Sequence, residues 1–305
     1  MAKPIRIAGL SRRTPITRAA SKVLREILLD LLERMPRARG EDPSKKGIHD
    51  LRVAVKRFRE AFRLFRPVLK KKTFRRHHEW IEGLNDALGE VRDRDVALSR
   101  MRKLTAGMAE PPPSVAALLA RLDAERIRAL EALTAMLERL QLEGVPAQLA
   151  ASIDSVERQV LAGQRTREFA RERVRERLLD MRARWAAARQ QATPESLHRA
   201  RIGNKRLRYA IEPFSRMLGK EVRRLYRSAS RFHDVLGDVH DADSMAVMLE
   251  TAMVRAPKPE RRVWEGLAVK VIRDRRVALR RAFSLADRIE PLWDEAQRSV
   301  EEPLA

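Results

Sequence analysis

The stretch at residues 49–63, HDLRVAVKRFREAFR, separates into two faces when it is wound as an α-helix. At about 100° per residue, one side of such a helix carries only cations. These cations are Arg52, Lys56, Arg59 and Arg63. Another side carries the apolar residues Leu51, Val55, Phe58 and Phe62, followed by Phe65. The pattern predicts a helix that buries one face in a core and presents the other face to an anion.

The same pattern occurs again at residues 198–214, HRARIGNKRLRYAIEPF. Its cations are His198, Arg201, Lys205 and Arg208, and its apolar side is Leu207, Ile211 and Phe214. Three other segments also recur in the same order, 148–150 residues later. Among them, LGEVRDRD at 88–95 returns as LGDVHDAD at 236–243. Four anchors at one spacing indicate an internal tandem duplication.

We therefore predict an all-α fold made of two pseudo-symmetric antiparallel bundles, each of about four helices. The bundles would face each other so that the two cationic stripes line a shared basic central cavity. The predicted divisions are a basic N-terminal arm at 1–13, a first half at 14–146 and a second half at 160–290. Within the first half, residues 36–47 and 111–113 are predicted loops, residues 114–142 a long helix, and Gly89 a helix end.

Composition narrows the class of partner. Lys and Arg number 65 against 42 Asp and Glu in 305 residues, which gives a net charge of +23. Such an excess of arginine favours a polyanionic partner, because the guanidinium fork suits phosphate oxygens. There is no cysteine and no long apolar run, so we expect neither disulfides nor a membrane span, and we expect a cytoplasmic protein. The sequence leaves the oligomeric state open.

The histidines and carboxylates of the repeats have two interpretations each. His49 and His198 head the two stripes, and we interpret them as ligand contacts rather than structural residues. Asp93, Asp95 and their counterparts in the second half are interpreted as partners that hold arginines in place, the alternative being metal ligation or general-base chemistry. The remaining histidines, His77, His78 and His233, are interpreted as surface or core residues. Flanking cations form a second tier of candidate ligand contacts: Lys22, Arg25, Arg75, Arg76, Arg175, Arg223 and Arg224.

The repeated His-x2-Arg-x3-Lys-Arg-x-Arg pattern and the two LG-x-V-x-D-x-D segments resemble the CHAD domain, the conserved histidine α-helical domain, over residues 14–290. The resemblance implies two four-helix bundles around a basic cavity that binds inorganic polyphosphate, with no catalytic activity established for the domain. From the residues themselves we expect no metal site and no cofactor, because cations surround both histidines and no His-x3-His or HExxH spacing is present. The motif positions fall on His49, Arg52, Lys56, Arg57 and Arg59, and on His198, Arg201, Lys205, Arg206 and Arg208. Two departures make the halves unequal: Glu212 stands opposite Arg63, and His240 stands opposite Arg92.

Three functions follow from these observations. The favoured one is non-catalytic binding of polyphosphate, with association with polyphosphate granules. Net charge also supports nucleic-acid binding, although aromatic residues make up only 5% and no base-stacking platform is evident. A metal-dependent phosphohydrolase is the third, because His-Asp pairs occur at residues 49, 233 and 240.

Overall fold

The computed structural model describes residues 7, 9–38, 44–158 and 164–302, and these residues are helical almost throughout. The predicted all-α class is confirmed: in the described ranges there is no strand beyond a single bridge between Pro15 and Arg165. None of the described helices has the length and apolar character needed to cross a membrane. The helices are α1 Ile16–Arg34, α2 Lys45–Leu64, α3 Lys71–Thr105, α4 Pro113–Leu142, α5 Val145–Glu157, α6 Thr166–Gln190, α7 Pro194–Ile211, α8 Gly219–Arg255 and α9 Arg261–Glu301.

The two stripe-bearing stretches are helices α2 and α7, and each begins at a side-chain cap. Ser44 accepts a hydrogen bond from the Gly47 amide at 3.0 Å, and Thr193 accepts one from the Ser196 amide at 3.2 Å. These caps satisfy amides that have no partner within the helix. The apolar faces of both helices are buried as predicted: Leu51, Val55, Phe58, Phe62, Phe65, Leu207, Ile211 and Phe214.

The helices pack in the same order in both halves of the chain. Helix α1 contacts α2 and α5, α2 contacts α3, and α3 contacts α4; likewise α6 contacts α7 and α9, α7 contacts α8, and α8 contacts α9. Helix α9 thus takes the place of both α4 and α5. Gly144, in the left-handed conformation with φ 63°, separates α4 from α5, whereas α9 continues past Pro291. Helices α2 and α7 contact each other and join the two halves.

The first turns of α1 and α6 are joined by reciprocal hydrogen bonds. The Ile16 amide donates to the Gln164 carbonyl at 3.2 Å, and the Thr166 amide donates to the Thr14 carbonyl at 3.0 Å. These pairs are centred on Pro15 and Arg165, which the sequence repeat also aligns with each other. The predicted basic arm at 1–13 lies partly outside the described residues, but its end is held against α6.

Several predicted boundaries differ from the helices. Helix α5 runs to Glu157 and α9 to Glu301, each about eleven residues beyond the predicted end of its half. The prediction that Gly89 ends a helix is wrong, because α3 is continuous from Lys71 to Thr105. A Cβ at Gly89 would lie 3.9 Å from Arg52 Nη2, and one at Gly237 would lie 3.9 Å from Arg201 Nε. The two glycines therefore lie at equivalent positions beside equivalent arginines, at distances of ordinary van der Waals contact.

A second apolar cluster joins the far ends of the long helices. It contains Leu98 and Met101 of α3, together with Met245 of α8 and Trp264 of α9. Trp264 Nε1 donates to Ser114 Oγ at 2.9 Å, and the Ser114 amide donates to Glu260 at 2.9 Å. The cluster therefore links the α3–α4 pair to the α8–α9 pair at a distance from the main core.

Candidate functional site

A cavity of about 470 Å³ lies where the N-terminal parts of α2 and α7 meet α3 and α8. Its cations come from equivalent positions in the two halves, Arg52 on α2 and Arg201 on α7, with Lys56 beside them. The cavity has the size of an ordinary small-ligand site. Its other lining residues are Asp93, Val96, Ala97, Arg100, His198, His240, Asp241, Ser244, Met245 and Met248.

Carboxylates at the edge of the cavity hold two of its arginines. Arg52 Nη2 lies 3.3 Å from Asp93 Oδ1, and Arg100 Nη2 lies 2.9 Å from Asp241 Oδ2. Asp93 and Asp241 occupy equivalent positions of the LG-x-V-x-D-x-D repeat. The geometry agrees with the interpretation that these carboxylates partner arginines. Arg100 and Ser244 were missed by the sequence reasoning, since neither belongs to a repeated motif.

The second aspartate of each repeat has a structural role away from the cavity. Asp95 is 1% exposed and accepts a hydrogen bond from Arg126 Nε at 2.7 Å. Asp243 makes the equivalent contact with Arg275. These pairs fasten α3 to α4 and α8 to α9, and so position the aspartates that line the cavity.

Four arginines of the two cationic stripes keep a buried N–H group without an acceptor among the described residues. They are Arg52 and Arg59 of α2 and their counterparts Arg201 and Arg208 of α7, and in each case the group is the Nε. A buried donor without an acceptor costs on the order of 1–3 kcal/mol. The repetition of this cost at matched positions indicates a surface shaped to donate hydrogen bonds to a ligand.

The two lysines of the stripes lie in a crowded cationic environment. Burial, and then the nearby cations, lower the pKa of Lys56 to about 7. Burial also lowers the pKa of Lys205 to about 8, where Glu60 at 3.5 Å opposes the shift. Both ammonium groups are therefore only partly protonated near neutral pH. A bound anion would raise both pKa values, since it favours the charged form.

The histidines around the cavity are kept neutral by burial and by neighbouring cations. The rings of His198 and His240 lie 4.8 Å apart, and burial lowers the pKa of both. His49 is exposed at the start of α2, outside the residues that line the cavity, and its pKa is lowered by burial and by Arg92.

His233 is partly buried on α8. Its Nδ1 is buried without a hydrogen-bond partner among the described residues. Burial lowers its pKa well below the usual value, with Arg201, Arg208, Lys205 and Lys56 adding to the shift. It therefore lies within the cationic cluster and is not a histidine remote from the site. By contrast, His77 is only 2% exposed, and its Nε2 forms a hydrogen bond with Ser152 Oγ at 2.9 Å, as expected of a core residue.

Arg57, a predicted ligand contact, instead lies in a buried ion pair. Its Nη2 is 3.0 Å from Glu212 Oε1 and its Nη1 is 3.5 Å from Asp30 Oδ2, and its side chain is only 5% exposed. Glu212, which breaks the repeat by standing opposite Arg63, therefore serves as a partner for Arg57. Arg57 therefore contributes to the packing between the two halves of the chain, and we do not include it in the binding site.

Other predicted cations lie along the same helices but beyond the first cavity. Arg63 and Arg206 line a second cavity of about 560 Å³ near the C-terminal ends of α2 and α7, together with Arg66, Arg173 and Arg177. Glu60, which also lines the second cavity, accepts a hydrogen bond from Arg59 at 3.2 Å and pairs with Lys205. Arg59 also pairs with Glu82 at 3.5 Å, and Arg208 packs over the ring of Tyr209 at 4.5 Å.

The second-tier cations lie outside the residues that line the first cavity. Lys22 donates to the Gly9 carbonyl at 3.5 Å. Arg25 pairs with Asp154, Arg175 with Glu301 and Arg224 with Glu295. Arg75, Arg76 and Arg223 are exposed on α3 and α8. Their position relative to the cavity could not be read from the repeat, because it depends on how the helices pack.

A metal centre has no candidate among the residues described. No group of three or more His, Asp or Glu side chains there lies close enough together to hold an ion. The His-Asp pairs at residues 49, 233 and 240 are thus separate features of the helices that carry them.

Comparison with known proteins points to one family. A family model for the CHAD domain matches residues 22–250. The fold is similar to that of a crystal structure of the CHAD domain from the plant Ricinus communis, with a TM-score of 0.65 and 21% identity, covering 99% of this chain and 98% of that one. It is also similar to PptA from Streptomyces chartreusis, with a TM-score of 0.64 and 17% sequence identity. That match covers 90% of this chain and 100% of the PptA chain. A comparison with curated protein sequences gives no significant match.

Proposed function

Because the chain belongs to the CHAD domain family, we propose that it binds inorganic polyphosphate in the cavity lined by Arg52, Lys56 and Arg201. The observation that carries this proposal is the pair of buried, unsatisfied Nε donors on Arg52 and Arg201, which both line the cavity. Phosphate oxygens accept charge-assisted hydrogen bonds from such guanidinium groups. The ligand would thus repay a cost that the unbound protein carries.

A polymer suits the site better than a single phosphate. The polar face of α2 extends from Arg52 in the first cavity to Arg63 in the second. These eleven steps along a helix correspond to about 16 Å. On α7, Arg201 lines the first cavity and Arg206 lines the second, although these residues lie about 140° apart around the helix. A flexible chain with a charge on every unit can reach cations in both cavities.

We also propose that the two halves arose by duplication and are related by a pseudo-two-fold axis through the site. Three observations support this: the matched order of helix contacts, the reciprocal bonds around Pro15 and Arg165, and the equivalent glycines beside Arg52 and Arg201. In this arrangement each half is one helical bundle, and the basic cavity lies between them.

The proposed role is binding without catalysis, in the cytoplasm and at polyphosphate granules. Nucleic-acid binding is the second candidate, supported by the net charge of +23. The recessed cavity favours a thin flexible polyanion over a duplex, because a duplex cannot bring its phosphates into a space of about 470 Å³.

The test is the double variant Arg52→Gln, Arg201→Gln, titrated with long-chain polyphosphate by calorimetry. We expect the affinity to fall by at least about a hundredfold, since two charge-assisted contacts are lost. The matched control is Arg139→Gln, Arg288→Gln, which changes charge equally at exposed, repeat-related positions outside the cavity. Equal affinity of both variants, with helicity unchanged, would refute the cavity as the binding site.

A further inference from the structure

Lys56 differs from its repeat counterpart Lys205 in having no ion-pair partner. Lys205 Nζ lies 3.5 Å from Glu60 Oε1. Among the ion pairs formed within the described part of the chain, none involves Lys56. The Lys56 side chain nevertheless lines the first cavity, beside Arg52 and Arg201. It is therefore a recessed amine that solutes of the cavity can reach and that no carboxylate holds in its charged form.

The groups around Lys56 come from several helices, and most are cationic. The only carboxylate among its strongest electrostatic neighbours, Asp93 on α3, is the weakest of them and is paired with Arg52. Burial and these cations bring the pKa of Lys56 to about 7, so a large share of its amine is neutral at cellular pH. The charged or titratable neighbours are Arg52 of α2, Asp93 of α3, Arg201 and Lys205 of α7, and His233 of α8.

We propose that Lys56 is a site of acylation by small acyl phosphates, whose phosphate group is bound by Arg52 and Arg201 in the cavity. A cavity of about 470 Å³ admits a molecule of this size. The same guanidinium groups that suit polyphosphate would hold the phosphate end of the reagent, which leaves its carbonyl group free to approach the amine. Proximity of this kind accelerates a reaction between two groups that would otherwise have to meet in solution.

The reaction needs no further reagent. The neutral amine of Lys56 attacks the carbonyl carbon of the acyl phosphate and forms a C–N bond. The bond between that carbon and the phosphate oxygen breaks, and phosphate leaves with the electron pair. The proton lost by the amine is taken up by the departing phosphate, which gives an amide and hydrogen phosphate.

Acylation would also regulate the cavity. An amide carries no charge, so the modified side chain can no longer pair with a phosphate group and its bulk occupies part of the space. This consequence, unlike the acylation itself, rests on the proposed polyphosphate function. It would make the affinity for polyphosphate depend on the supply of activated acyl groups.

The test is incubation of the full chain with acetyl phosphate at pH 7.5, followed by peptide mass spectrometry over time. We expect Lys56 to be acetylated at least about tenfold faster than Lys71, which is exposed at the start of α3. Lys205 should react more slowly than Lys56, because Glu60 holds it in the charged form. Equal rates at Lys56 and Lys71 would overturn the proposal.

A second reagent separates guidance by phosphate from simple reactivity. Acetic anhydride has no phosphate group, so the preference for Lys56 over Lys71 should shrink by several-fold. Inorganic phosphate should slow the reaction with acetyl phosphate more than the reaction with anhydride. It competes with acetyl phosphate for Arg52 and Arg201, whereas it affects the anhydride reaction only by raising the pKa of Lys56. The same preference with both reagents would overturn the role assigned to Arg52 and Arg201.

Variants test the regulatory consequence separately. Lys56→Gln, which resembles the acylated state, should lower the affinity for polyphosphate about tenfold, whereas Lys71→Gln serves as the matched control. Lys56→Arg keeps the charge but has no amine to acylate, so it should accept no acetyl group and its affinity for polyphosphate should not respond to acetyl phosphate. Unchanged affinity in Lys56→Gln would overturn the regulation, while failure of the wild-type chain to bind polyphosphate would refute the proposed function and leave the acetylation result standing.

Discussion

At the scale of single residues, the site is distinguished by cations that are buried together. Exposed cations are abundant in this chain, and some of them pair with carboxylates, as Arg25 does with Asp154 and Arg224 with Glu295. Lys56, Arg52 and Arg201 instead share a recess in which desolvation opposes their charge. Their charged forms are thus costly in the free protein, and an anion relieves that cost.

Polyphosphate binding should therefore be coupled to proton uptake. In the free protein the pKa is about 7 for Lys56 and about 8 for Lys205, and a bound polyanion raises both values. At pH 7.5 about one proton should be taken up per binding event, and affinity should decline as the pH rises from 7 to 9. Calorimetry in buffers of different ionisation enthalpy measures this uptake directly.

The variant Lys56→Arg, which stays charged throughout this range, serves as the control for proton uptake. Its uptake should be smaller by the contribution of Lys56, about three quarters of a proton at pH 7.5. The same uptake in this variant and in the wild type would show that other groups carry the titration.

At the scale of the helices, ion pairs within and between halves decide which cations are left for a ligand. Arg57 and Glu212 join α2 to the turn that follows α7, and both side chains are about 95% buried. The alternation of buried and cavity-lining cations on α2 follows from its position between α1, α3 and α7. One helix thus supplies both a structural arginine and ligand contacts.

Loss of one partner of this pair should destabilise the fold while the cavity stays intact. We expect Arg57→Met or Glu212→Gln alone to lower the free energy of unfolding by about 3–5 kcal/mol, because the remaining charge is buried without its partner. The double variant should lower the free energy of unfolding by less than the sum of the losses in the two single variants. Urea denaturation of the three variants measures the coupling, and strictly additive losses would contradict it.

The contact between the end of α1 and the start of α2 depends on a glycine. A Cβ on Gly47 would lie 2.2 Å from the Arg37 carbonyl oxygen, which is far inside contact distance. Gly47→Ala should therefore destabilise the protein by roughly 2–3 kcal/mol, as measured by urea denaturation. Gly266→Ala is the control, because a Cβ added at this helical position would meet no atom of the described residues within 4 Å. Equal losses in the two variants would show that the contact is unimportant.

At the scale of the whole molecule, the two cavities lie at different points along α2 and α7, and cations outnumber carboxylates in the lining of each. The first cavity collects residues from both halves of the chain, and the second does so as well. Neither half alone places its arginines opposite the others. Function at this scale depends on the packing of α2 against α7.

This arrangement predicts that affinity depends on chain length. Triphosphate, which occupies one cavity, should bind more weakly than chains long enough to reach Arg63 and Arg206, and the gain should level off once both cavities are filled. Calorimetry with chains of defined length tests this. In the variant Arg63→Gln, Arg206→Gln, long chains should bind no more tightly than triphosphate, while the affinity for triphosphate should stay the same. If the affinity of the wild type does not depend on chain length, the two cavities do not act as one binding surface.

Shape should also separate polyphosphate from nucleic acid. Both ligands should bind more weakly at higher salt, because both release counterions. At matched phosphate concentration, duplex DNA should fail to displace polyphosphate if the recessed donors dominate binding. Displacement at comparable concentration would indicate an unshaped basic surface and would favour the nucleic-acid alternative.

The sequence by itself determined the helical class, the repeated order of segments and the two polar faces, because helical periodicity and internal repetition are local properties of a chain. It also paired Arg52 with Arg201 and Asp93 with Asp241 before any packing was known. Only the tertiary structure decided that Arg57 is buried against Glu212, that α3 continues through Gly89, and that Arg100 lines the first cavity. The physical reason is that burial and ion pairing depend on how one helix is rotated against its neighbours, and side chains remote in sequence set that rotation.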